Sequence, residues 1–132
     1  MSYAKSFREL RVWQLGMSLV QKVDQIVKQL RPEDRFEIAS QMRRAASSIP
    51  ANIAEGFGKR SHRNFSSYLL IARGSANELE THLEQILQRG EIPAEQLHAA
   101  IDLCIHTRVL ITRMLRSMPS QQRNQRSSPT NS

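Results

Sequence analysis

Phe65, Leu69, Ala72, Ala76, Leu79, Leu83 and Ile86 follow one another at alternating steps of four and three. Such steps return a side chain to the same face of an α-helix, whereas a strand repeats every second residue. The pattern commits this segment to a long helix with one buried seam, of the kind that packs in bundles. Ser61 stands where a side-chain N-cap belongs and Gly90 where a left-handed C-cap belongs, so the helix is expected between them.

The spacing predicts three more helices. Trp13, Met17, Val20, Val23, Val27 and Leu30 make a stripe over about residues 7–30, and Gln14, Ser18, Lys22, Gln25 and Gln29 fall mostly off it. Arg31-Pro32-Glu33-Asp34 then stops one helix and starts the next. Proline disfavours helix at the residue before it but suits a first turn, whose dipole Glu33 and Asp34 complement. Ala39, Met42, Ala46, Ile49, Ile53 and Phe57 carry a stripe straight through Pro50. Proline removes a hydrogen bond and clashes with the carbonyl of Ala46, so the unbroken stripe predicts one kinked helix over about residues 33–57. Ser47 and Ser48 are placed to bond carbonyls released there. Gly56 and Gly58 are expected to end the helix in the left-handed conformation. The last stripe, Leu97, Ile101, Cys104, Ile111, Leu115 and Met118, follows Ile92-Pro93 and stops at Pro119.

Four amphipathic helices of similar length joined by short connections pack as antiparallel neighbours. The expected fold is therefore all-α, an antiparallel up-down-up-down four-helix bundle with a proline-kinked second helix. An all-β fold is excluded, because it needs turns every ~8–12 residues and many aromatic and β-branched positions. Here aromatics are 5% and there are only five glycines and five prolines in 132 residues. The bundle is expected to occupy 1–119 as one domain. Residues 120–132 contain no apolar side chain, so nothing offsets the entropy of ordering them. They are expected to be a disordered tail, made basic by Arg123 and Arg126.

The charge balance is one-sided. Lys+Arg is 19 against 12 Asp+Glu, a net charge of +7. Most of the cations are arginine, whose planar fork matches phosphate. A polyanion partner and a soluble basic protein without one are both compatible with charge alone. The lone cysteine, Cys104, cannot form an intramolecular disulfide, so nothing requires an oxidising compartment. No apolar h-region follows the N-terminus, and no apolar run approaches the ~18–20 residues that span a bilayer. The expected location is the cytoplasm, with no membrane partner.

Catalytic and metal signals are weak, and the expectation is no enzyme, no metal and no cofactor. No two of His62, His82, His98 and His106 have i, i+4 spacing. Cys104 lies on an apolar stripe and reads as a small core residue. Gly56-Phe57-Gly58-Lys59 lacks the spacing and the preceding strand of a phosphate loop.

Two constellations remain. Arg44, Ser48, Asn52 and Glu55 step along one face of the second helix, and Arg73 and Glu78 lie on the third. They are expected to form a polar network that fixes register and oligomer state, with Glu55 pairing to Arg73 across the turn, in preference to a catalytic role. The other is Lys59-Arg60-Ser61-His62-Arg63 at the turn between those helices. Arg108, Arg113 and Arg116, continued by Arg123 and Arg126, add a basic stretch, and residues 103–132 contain no acidic side chain. Lys59, Arg60, Arg63 and these five arginines are the candidate phosphate contacts. A solvated helix end is the alternative reading. Arg8 and Arg11 are placed at the opposite end or side.

Three blocks carry a resemblance. Phe7-Arg8-Glu9-Leu10-Arg11-Val12-Trp13-Gln14 resembles the opening of the four-helix bundle family of the 23S ribosomal RNA intervening-sequence proteins. The stretch Ser40-Gln41-Met42-Arg43-Arg44-Ala45-Ala46-Ser47-Ser48-Ile49-Pro50-Ala51-Asn52-Ile53-Ala54-Glu55-Gly56-Phe57-Gly58 resembles its second helix. Tyr68-Leu69-Leu70-Ile71-Ala72-Arg73-Gly74-Ser75-Ala76-Asn77-Glu78-Leu79-Glu80 resembles its third. Together they span about residues 7–116. The resemblance implies a homopentameric ring. It also implies an architecture similar to the accessory variability determinant of diversity-generating retroelements, a basic pentamer that binds nucleic acid and partners a reverse transcriptase. The expected function is a non-enzymatic oligomeric scaffold that binds RNA or DNA, accessory to such a reverse transcriptase. The alternative is a structural homo-oligomer or protein-interaction module encoded in a ribosomal RNA intervening sequence.

Overall fold

A computed structural model of the chain describes residues 4–118, and these are all helix, turn and short connection. A 3-10 turn, Phe7–Glu9, precedes α1 (Arg11–Val27), α2 (Pro32–Arg35), α3 (Glu37–Gly58), α4 (His62–Arg89) and α5 (Ala94–Arg116). Four of these helices are long, and α2 is a single turn leading into α3. Residues 120–132, with Arg123 and Arg126, lie outside the described residues.

The start of the chain is more broken than its periodicity suggests. Ser6 and Glu9 form a capping box, in which Ser6 accepts from the Arg8 amide and Glu9 from the Ser6 amide. Leu10 is extended, so α1 begins only at Arg11. The buried stripe of α1 is Val12, Leu15, Gly16, Leu19, Val23, Ile26 and Val27, continued by Leu30. The expected stripe is thus buried from Val23 onward, whereas before it Trp13 and Val20 only pack against the rim of the core. Met17 is 38% exposed, and Trp13 is half-buried beside Phe7, with ring centroids 5.3 Å apart. Valine and leucine at 12, 15 and 19 offer an equally periodic face, and that face is the one that packs.

α1 packs on α3 and α5, and α4 packs on the same two helices, closing a four-sided core. The core is aliphatic. Leu19, Met42, Ile49, Ile53, Leu69, Ala72, Ala76, Leu79, Leu83, Leu97 and Ile111 are wholly excluded from solvent. The seam expected for α4 is buried from Leu69 to Ile86, with Phe65 packed against its end. Ser61 caps α4 by accepting from the Asn64 amide at 3.2 Å, and Gly90 ends it at φ 71°. The stripe of α5 is buried as expected.

α3 runs through Pro50 without interruption. Pro50 is buried against α1 at Gly16, where an added Cβ would lie 3.2 Å from Pro50 Cδ and from Ile49 Cγ2. The glycines at its end correct the sequence reading. Gly56 and Gly58 are helical, and the left-handed residue of the turn is Arg60, at φ 60°. Gly56 serves contact instead of conformation. It is buried, and an added Cβ would lie 2.6 Å from Tyr68 Cβ on α4. The glycine lets the two helix backbones approach closely where they leave their shared turn.

Candidate nucleic-acid interface

The turn between α3 and α4 is tight and charged. The Lys59 amide closes on the Gly56 carbonyl at 3.2 Å and the Arg60 amide on that of Phe57 at 3.4 Å. Arg60 is the only non-glycine residue with positive φ among the described residues. A left-handed side-chain-bearing residue costs roughly 1–2 kcal/mol relative to the right-handed form. Lys59, Arg60, His62 and Arg63 are all exposed. Lys59 Nζ lies 5.9 Å from the centre of the Tyr68 ring, a long cation–π contact that leaves its ammonium in water.

The turn is joined by the end of α5. Ser66 Oγ, in the first turns of α4, lies 3.1 Å from Met118 Sδ, two residues beyond α5. Arg113 and Arg116, exposed in the last turn of α5, thus belong to the same end of the molecule as Lys59, Arg60 and Arg63. Sequence places the two clusters 50 residues apart, and the fold brings them to one end. The 3-10 turn packs on α3 as well as α1. Its Arg8 guanidinium sits 4.7 Å from the centre of the Phe7 ring and is exposed.

Arg108 does not join this surface. It pairs with Glu80 and donates to Asn77 Oδ1 at 3.0 Å, which ties α5 to α4. An arginine held by a carboxylate and an amide is a strut between helices, and the expectation of a phosphate contact there is withdrawn.

The polar network is also rearranged. Ser48 Oγ and Ser75 Oγ are 2.8 Å apart, joining α3 to α4, and Asn52 Nδ2 donates to the Ser48 carbonyl at 2.8 Å and to its Oγ at 2.9 Å. Glu55 and Arg73 do not pair. Glu55 is exposed and accepts from the Tyr68 hydroxyl at 3.2 Å, while Arg73 Nη1 donates to Thr112 Oγ1 on α5 at 3.2 Å. Equal distance from a turn sets the level of two residues but not their angle about the helix. Tyr68 and Ser75, seven apart, share the side of α4 that meets α3, and Arg73 and Glu80, also seven apart, share the side that meets α5. Five residues from Tyr68 to Arg73 rotate the side chain by about 140°. Arg44 is exposed, and Glu78 is exposed with His82 Nε2 at 3.7 Å, so neither belongs to the network. The sevenfold spacing was the signal for Tyr68, Ser75 and Glu80.

Cys104 is fully buried and its thiol pKa is pushed up to about 12, first by burial and then by the nearby Glu80 carboxylate. It stays a neutral thiol at physiological pH. Among the described residues no three His, Cys, Asp or Glu side chains group as metal ligands, and no helix is long and apolar enough to cross a membrane.

Comparison with known proteins gives a consistent result. The family model described as 23S rRNA-intervening sequence protein matches residues 8–113. A solved structure from Bacteroides thetaiotaomicron is described as a protein with unknown function from the S23 ribosomal protein family. It superimposes with a TM-score of 0.74 at 25% identity, covering 80% of this chain and 99% of that one. No curated protein matches the sequence.

Proposed function

The chain belongs to the 23S rRNA-intervening sequence protein family, and on that premise we propose that it is a non-enzymatic, nucleic-acid-binding helical scaffold that works in the cytoplasm. One observation carries this reading. The Lys59–Arg63 turn and the C-terminal end of α5, each exposed and basic, meet at one end of the molecule. No acidic residue follows Asp102 to dilute the charge at the end of α5, while at the turn the exposed Glu55 is engaged by the Tyr68 hydroxyl. Exposed arginines and lysines without base-reading geometry contact phosphates and carry little sequence preference.

The helix order belongs to the same proposal, an up-down-up-down bundle with its second long helix kinked at Pro50. It is supported by Gly16 lying at Pro50 while Asp24 meets Arg43 at 3.4 Å, and by Ser66 lying at Met118 while Arg73 meets Thr112. In both pairs one helix climbs as the other descends. Extending the first pair would bring Arg11 to the basic end as well, and not to the opposite end. The most specific form of the reading is an accessory to the reverse transcriptase of a diversity-generating retroelement, and it rests on the motif resemblance alone.

The test is salt-dependent binding of duplex RNA and DNA. Lys59→Ala, Arg60→Ala and Arg63→Ala combined should weaken binding similarly for all sequences. The slope of log affinity against log salt should flatten by roughly one for each phosphate that is no longer neutralised. Unchanged binding in that variant sinks the assignment to this end. Absence of binding by the native chain at low salt removes the nucleic-acid reading itself.

The second reading, a structural homo-oligomer, is favoured by Leu70, Ile71, Ile105 and Val109, which leave α4 and α5 with large apolar side chains in water. A homopentamer requires a native mass near five times 15.1 kDa. In a ring, several basic ends on one nucleic acid would multiply a weak single-site affinity.

A further inference from the structure

A cavity of about 260 Å³ lies where the end of α1 meets α2 and the first turns of α3, lined by Val27, Lys28, Arg35, Ala39 and Arg43. It shares no residue with the basic end described above. Three of its five lining residues are cations. Arg43 is set against Asp24, Nε to Oδ1 at 3.4 Å. Arg35 donates Nε to the Leu30 carbonyl at 3.1 Å and Nη2 to that of Lys28 at 3.4 Å. These bonds hold the guanidinium in place and leave most of its five N–H donors for another acceptor. Neither Lys28 nor Arg35 has a carboxylate partner among the described residues. Ala39 lies in the first turn of α3, which α2 leads into through the right-handed Phe36 and which also carries Glu37. Phe36, between Arg35 and α3, is 90% exposed.

We propose that this cavity binds the phosphate of a nucleoside monophosphate unit and that Phe36 stacks on its base. Two cations without carboxylate partners match a phosphomonoester, which carries about −1.5 to −2 at pH 7 and three acceptor oxygens, better than a singly charged carboxylate. The volume is below the ~300–1,000 Å³ of sites that enclose a whole drug-sized ligand. It admits the phosphate between the Lys28 and Arg35 cations and leaves the sugar and base outside, since Val27 and Ala39 are each only 2% exposed. Phe36 does not line the cavity but follows the lining Arg35 in sequence, and an aromatic side chain in water there offers a base a stacking face. A free nucleotide and the 5′ end of a single strand present the same chemistry.

Calorimetry on the full chain at low salt tests this with adenosine 5′-monophosphate, adenosine and inorganic phosphate. The monophosphate should bind, adenosine should not, and inorganic phosphate should bind more weakly. Lys28→Gln, an exposed substitution that leaves the core untouched, should weaken the monophosphate by about tenfold, as loss of a charge-assisted hydrogen bond does. Phe36→Ala should weaken the monophosphate severalfold and leave inorganic phosphate unchanged. A 5′-phosphorylated oligoribonucleotide that binds more tightly than the monophosphate and than its 5′-hydroxyl counterpart assigns a strand end. Equal affinity of oligonucleotide and monophosphate assigns a free nucleotide. Equal binding of adenosine and its monophosphate, or no loss on Lys28→Gln, overturns the proposal. Duplex binding by the Lys59–Arg63 end should be unaffected by either substitution, so failure of one site leaves the other standing.

Discussion

Gly56→Ala is expected to destabilise the protein by about 2 kcal/mol, although the same change at an ordinary helix position stabilises by about 1 kcal/mol. The atoms that an added methyl would meet are Tyr68 Cβ at 2.6 Å, Phe65 Cδ1 at 3.1 Å and Tyr68 Cγ at 3.2 Å. The first of these is fixed to the α4 backbone and cannot rotate away. α3 and α4 must therefore separate where they leave the turn, which also strains the Tyr68–Glu55 hydrogen bond and the Phe57–Phe65 edge contact. Gly74 supplies the control. It lies inside α4, is exposed, and an added Cβ there meets nothing within 4 Å. Gly74→Ala should stabilise by about 0.5–1 kcal/mol through helix propensity and a less flexible unfolded chain. Urea unfolding of both variants at one protein concentration gives the two signs. Stabilisation by both would show that the helices are not in close contact at Gly56.

That glycine also shows where sequence stops being informative. Glycine near the end of a periodic stripe has two physical uses, a left-handed cap and a close approach. At Gly90 the first applies and was legible, because the stripe ends there and Ile92-Pro93 follows. At Gly56 the second applies, and it depends on Tyr68, a residue 12 positions away whose angle about α4 no local pattern specifies. The helices themselves were readable because each buries a stripe at helical spacing, which survives any choice of neighbours.

Site residues divide along the same line. The exposure of Lys59, Arg60 and Arg63 was legible because a charged turn between two helices is exposed whatever the helices pack on. Arg108 was not, because its removal from solvent depends on Asn77 and Glu80 of another helix. The expected Glu55–Arg73 pair failed for the same reason: level along the helix can be counted from the turn, but the angle needs the seven-residue repeat of Tyr68 and Ser75 against that of Arg73 and Glu80. The cavity at Arg35 has no sequence signature, since its cations come from three separate segments and none forms a run.

The phase of α1 provides the other large effect. Leu19→Ala is expected to cost about 2–5 kcal/mol, because a wholly buried leucine loses its transfer free energy and leaves a cavity among rigid neighbours. Met17→Ala, two residues earlier on the stripe that sequence alone favoured, is expected to cost at most about 1 kcal/mol, because much of its side chain is already in water. Leu19 is 0% exposed and Met17 38%. Alanine is the best helix former, so neither loss can be ascribed to weakened helix propensity. The ordering of the two urea midpoints thus reports which face of α1 meets α3 and α5. A larger loss at Met17 than at Leu19 would mean that α1 is rotated from its place here. Gly16 would then no longer lie against Pro50, and the stripe Trp13, Met17, Val20 would be the buried one after all.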